Sequence, residues 1–104
     1  MLMVRRSEVE QEIADAVKRV EESLRPDVVR IRFSYGDDWT GEPSIFYRVL
    51  LSDKAAKSKR RGKLAEDISM KLYLDVPAND FGLHSYTNFR SKSEQDEMQD
   101  PEWS

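Results

Sequence analysis

The sequence predicts an α+β domain in the order helix, strand, strand, helix, strand, with a small antiparallel or mixed sheet, helices on one face and a short C-terminal helix or turn. Two kinds of apolar spacing carry that prediction. Apolar residues recur every three or four positions over residues 9–24, and they alternate with a period of two over 28–35 and again over 44–51. Size supplies a third constraint. At 104 residues and 38% hydrophobic content the chain suits one domain, 1–104, built round one core.

The first helix follows from Val9, Ile13, Ala16 or Val17, Val20 and Leu24 on one face, with Ser7 and Glu10 placed as a capping box. Pro26 ends it, because its ring clashes with the preceding turn and it offers no amide proton. In the first strand Val29, Ile31, Phe33 and Tyr35 share one parity, and Arg30, Arg32 and Ser34 share the other. The second strand, about 44–51, has apolar residues on both parities, as a central strand would. An eight-residue loop, Gly36 to Pro43, joins them as a hairpin.

Ser52 or Asp53 is placed to cap a second helix, whose first half is basic and which Gly62 is positioned to interrupt. Leu64, Ile68 and Leu72, flanked by Ala65 and Tyr73, form its apolar stripe. Turn formers over 75–80 break the chain before a third strand, Phe81 to Phe89, with Leu83, Thr87 and Phe89 facing one way and His84, Tyr86 and Asn88 the other. Ser93 and Asp96 are spaced to start a tail helix, for which Met98 and Trp103 are the apolar anchors; Phe89 is expected beneath it, and Arg90 to pair with Glu94 or Asp96.

With helices on one face, the other face of the sheet is left open. Arg30, Arg32, Phe46, Arg48, Leu50 and Tyr86 fall on it, a mixture of guanidinium and apolar groups common in interface cores. The alternative is that the aromatics pack on the tail and the arginines are solvated. Trp39, at the hairpin, is expected to fold back and bury its ring at the sheet edge, with Gly41 giving the sharp return and Pro43 pre-setting the start of the second strand. An exposed indole there becomes an interaction anchor instead. His84, the one histidine, reads as a surface or interface residue.

Catalytic chemistry is sparse. Asp37, Asp38 and Glu42 are hard oxygen donors, but their order lacks the alternation of a calcium loop. With one histidine and no cysteine, a metal site could draw on at most one imidazole and no thiolate, and no cofactor is implied. Enzymatic activity is therefore left open, and a non-enzymatic interaction or regulatory module, as a homodimer or with a protein partner, is the preferred reading. Net charge is −3, yet Lys54, Lys57, Arg60, Arg61 and Lys63 concentrate positive charge, with Lys54, Lys57 and Arg61 at helical spacing for phosphate contacts. Nucleic-acid binding through this run is the alternative, and pairing of the acidic tail with it competes. The first residues, Met1 to Arg6, have the wrong order and length for a signal peptide, and no stretch has the length of a membrane span, so a cytoplasmic location is expected.

The stretch Asp38-Trp39-Thr40-Gly41-Glu42-Pro43 through Arg48-Val49-Leu50-Leu51-Ser52-Asp53, with Tyr86-Thr87-Asn88-Phe89-Arg90-Ser91-Lys92-Ser93-Glu94-Gln95, resembles a family of small bacterial proteins of uncharacterised activity. The resemblance spans roughly the last two thirds of the chain. Such proteins are encoded beside small all-helical proteins of the HEPN class, an arrangement similar to toxin and antitoxin pairs. It implies a small helical protein partner and an antitoxin-like role, and transfers no catalytic residue.

Overall fold

The computed structural model describes residues 6–104. Its elements are α1 (Arg6–Ser23), β1 (Val28–Asp37), β2 (Pro43–Leu51), α2 (Asp53–Lys57), α3 (Arg61–Asp75), β3 (His84–Ser91) and α4 (Lys92–Met98), with short 3-10 turns at Asn79–Phe81 and Pro101–Trp103. The sheet is mixed, in the order β1-β2-β3. β1 runs antiparallel to β2, and β3 parallel to it. The central place expected for the second strand is borne out, and for the reason its sequence gives: Ile45, Tyr47, Val49, Leu50 and Leu51 are all buried, on both parities.

Alternation assigns the faces. Ile31, Ile45, Tyr47 and Val49 meet Ile13, Ala16, Val17 and Val20 of α1 and Ile68 and Leu72 of α3 in one core. Burying such side chains stabilises by about 1.5–3 kcal/mol each before chain entropy is counted. The Tyr47 hydroxyl is buried in that core without a hydrogen-bond partner of good geometry, and burial pushes its phenol well above the ordinary value.

Several local expectations change. Arg6 is already helical and its guanidinium takes Glu10 at 2.9 Å, so Ser7 lies inside α1 and does not cap it. The Met1–Arg5 part of the chain start lies outside the described residues. Ser52 caps α2 by accepting from the Ala55 amide, but the break comes at Ser58–Arg60, where Ser58 turns extended, and Gly62 sits within the first turn of α3. Tyr73 is half exposed rather than part of the core stripe. Phe81 closes a 3-10 turn ended by Gly82 in the left-handed region (φ 75°), so β3 starts only at His84.

The tail is ordered by different residues from those expected. Ser91, not Ser93, caps α4, in a capping box with Glu94; Ser93 instead donates to Asp53, from its amide and its hydroxyl. Met98 is exposed, whereas Trp103 is buried. Phe89 belongs to the helix-side core, because its parity in β3 is that of Thr87 and not of Arg90.

Candidate functional site

The face of the sheet away from α1 and α3 carries four cross-strand rows: Arg30–Leu50–Arg90, Arg32–Arg48–Asn88, Ser34–Phe46–Tyr86 and Gly36–Ser44–His84. The expected residues are thus brought together on one face. They divide into two halves.

The C-terminal segment closes the first half. Arg30 donates to the Trp103 carbonyl (3.0 and 3.3 Å), Arg48 to that of Glu102 (2.7 Å) and Arg32 to that of Ser104 (2.8 Å). Arg90 lies over the Trp103 ring, 4.3 Å from its centroid, and donates to Gln95 Oε1 (2.8 Å) and Asp100 (3.4 Å). Gln95 itself donates to the Asp100 carbonyl at 2.7 Å. Arg30, Arg32, Arg48 and Leu50 are therefore not a free interface. Leu50, between Arg30 and Arg90, keeps 2% of its surface. Arg90 also takes neither Glu94 nor Asp96, since Glu94 serves the Ser91 cap and Asp96 pairs with Lys92.

The second half is not covered by the C-terminal segment and is aromatic, with Phe46 and Tyr86 half-buried. Phe46 and Tyr86 stack with centroids 5.5 Å apart and planes 19° apart, and Trp39 leans on Tyr86 at 5.3 Å. Gly36 lies opposite Phe46, where a β-carbon would touch the Phe46 ring at 3.4 Å, an ordinary contact. The expectation that Trp39 is buried is overturned: it is 82% exposed. Turn geometry explains this. The strands pair as far as Asp37 and Pro43, so the loop is only Asp38–Glu42. Within it the Gly41 amide donates to the Asp38 carbonyl, the Asp38 amide donates to that of Glu42, and Gly41 has φ 85°. This tight turn with a left-handed glycine leaves Trp39 at the corner, pointing outward.

Asp38 organises the loop. Its Oδ1 accepts from the Thr40 amide (2.9 Å), the Thr40 hydroxyl (2.6 Å) and the Glu42 amide (3.0 Å), and its Oδ2 accepts from the Tyr86 hydroxyl (2.7 Å). These bonds, led by the Thr40 hydroxyl, hold the carboxyl well below the usual carboxylate range, while Asp38 raises the Tyr86 phenol. Both oxygens are thereby engaged with the protein's own donors. Among the described residues no three His, Asp or Glu side chains group as a metal site. His84 is exposed at the end of this half, two residues from Tyr86.

The basic run lies elsewhere. Lys54 and Lys57 are on α2, Arg60 in the break, and Arg61 and Lys63 in the first turn of α3. The break separates Lys54 and Lys57 from Arg61, so the single aligned face expected from one helix is not formed. Lys63 pairs with Asp67, and the acidic tail meets the sheet arginines instead of this run. Among the described residues no helix is long and apolar enough to cross a membrane.

Known folds place the architecture. The chain is similar to the MamM CTD in its copper form, with a TM-score of 0.52 and 11% identity over 84% of this chain and 86% of that one. Two variants of the same domain align with TM-scores of 0.47 and 0.48, at 14% and 15% identity, over 83% and 85% of this chain and 95% and 99% of theirs. No protein-family model and no curated protein matches the sequence. At such identity the likeness is one of fold, and it agrees with the α+β class read from the sequence.

Proposed function

We propose that the chain is a non-enzymatic protein-interaction module that engages a partner through Trp39, Tyr86 and Phe46. One observation carries this reading: an indole 82% exposed stands on a loop whose carboxylate hub makes four hydrogen bonds. An exposed aromatic held in place loses little entropy on docking, and a single desolvated tryptophan can dominate an interface. The sequence resemblance supports a small helical protein as the partner, with an antitoxin-like role; a helix would lay aliphatic side chains across the ledge.

Capture from native extract by the wild-type chain and by Trp39→Ala tests the reading. The expected outcome is one identified partner whose affinity falls by about tenfold or more in the variant. Equal capture by both chains would refute the ledge as the contact. Titration with RNA and duplex DNA over a salt series addresses the alternative, contact through Lys54, Lys57, Arg60, Arg61 and Lys63. Binding that weakens steeply with salt and is lost when these are neutralised would favour it.

A further inference from the structure

The two edges of the sheet are finished differently. On the outer edge of β1, α1 supplies a charge that occupies the backbone: Glu21 Oε2 accepts from the Ile31 amide at 2.7 Å. A carboxylate in that place blocks addition of another strand. β3 is the other edge, and it contains no proline and no lysine. Its one formally charged side chain, Arg90, is spent on Trp103, Gln95 and Asp100 across the outer face. Among the described residues no side chain hydrogen-bonds to the backbone of residues 84–90.

Beside that edge lies an open, mostly apolar groove of about 610 Å³ between Glu66, Ser69, Met70 and Tyr73 of α3 and residues 85–87 of β3. Met70 and Tyr73, 54% and 50% exposed, form the apolar part of its α3 wall. Tyr86 lines both this groove and the aromatic ledge, but the Trp39 indole does not line the groove, and among the described residues Met70 and Tyr73 are left exposed.

We infer that this edge is where a second copy of the chain docks, β3 pairing antiparallel with its counterpart and α3 lying beside the partner's α3. The self-complementarity of that wall selects a second copy over an unrelated strand. A two-fold axis passing between Ser69 and Met70 sets the two Met70 side chains side by side over the ladder. Glu66 and Tyr73 lie equally far from that axis on opposite sides, so each Glu66 carboxylate meets the phenol of the partner's Tyr73, a donor for an acceptor, twice. The apolar centre with a polar pair at each end is the anatomy of an isologous interface. This pairing continues the sheet across two chains and leaves both Trp39 indoles outside the interface, although Tyr86 borders it.

The cysteine-free sequence gives a clean test. Sedimentation of the intact chain over a wide concentration range should show a reversible monomer–dimer equilibrium. Met70→Glu, an exposed change that the fold tolerates, should raise the dissociation constant by about tenfold or more while circular dichroism is unchanged. Ser69→Cys, adjacent to the axis, should oxidise to a disulfide-linked dimer, and Lys57→Cys on α2 should not. Trp39→Ala should leave the dimer intact, which separates failure of this interface from failure of the ledge. A monomer at every concentration would overturn the proposal, leaving the edge to a foreign strand. So would a dimer indifferent to Met70→Glu, or equal cross-linking from positions 57 and 69.

Discussion

The two tryptophans stand over opposite ends of the same sheet face and meet opposite fates. Trp103 is 7% exposed and Trp39 is 82% exposed. The difference does not lie in the indoles but in what the strands offer beneath them. Under Trp103 the rows contain Arg30 and Arg48, whose guanidinium groups satisfy backbone carbonyls of the tail, and Arg90, whose guanidinium lies over the ring. Under Trp39 there are only rings, Tyr86 and Phe46, which offer a side to lean on but nothing to bind the backbone of a covering segment. One half of the face is an internal contact surface, and the other keeps the Trp39 indole in solvent over two half-buried rings.

The largest effect should come from removing the cover. Trp103→Ala should cost roughly 3–5 kcal/mol in urea unfolding, the range for large buried aromatic truncations, because Leu50 is re-exposed and the Arg90 stack is lost. Arg90→Ala should cost less, about 1–2 kcal/mol, since it deletes the cation–π contact and leaves Gln95 Oε1 without its donor. If neither shifts the midpoint, the tail is not part of the fold and the two halves of the face are alike.

How much of this was legible follows from the physics of each half. Alternation assigned Arg30, Arg32, Arg48, Phe46 and Tyr86 to the outer face, because a period of two depends only on backbone pleating. The covering of Arg30 by Trp103 joins residues 73 positions apart through a backbone carbonyl, and a carbonyl has no residue-type signature. The same holds for Gln95, buried between Arg90 and Asp100, which its polarity disguised. The Ser91-Glu94 capping box was there to be found beside the Ser93-Asp96 pair; spacing alone could not rank them, and tertiary contact with Asp53 took Ser93. Trp39 was misplaced because hydrophobicity argues for burial while the Asp38–Glu42 turn dictates direction.

At the uncovered end the stability cost should nearly vanish. Trp39→Ala should move unfolding by no more than about 0.5 kcal/mol, as for most surface changes. In single-tryptophan forms, Trp39 emission should be red-shifted and readily quenched, and that of Trp103 should be shielded. A blue-shifted Trp39 would mean that the ledge is covered in solution.

The smallest effect concerns protons, not stability. Asp38 is held below its ordinary 3.8, so whatever it contributes is present above that value and is lost only as pH falls through its own lower one. Tyr86 is held above its ordinary 10.0, so its contribution is complete below that value and is lost as pH rises through its raised one. The two windows overlap across neutrality. In a Trp103→Phe background, Trp39 emission should therefore be flat from about pH 4 to pH 10 and change only outside that span. Asp38→Asn removes the charge that favours the protonated phenol, so ultraviolet titration should show one tyrosine moving down toward 10.0. Tyr35 and Tyr47, raised chiefly by burial, should stay where they are. A phenol that does not move, or Trp39 emission that titrates near neutrality, would show that the ledge is set by something other than the Asp38 hub, and the contrast between the covered and uncovered halves would need another cause.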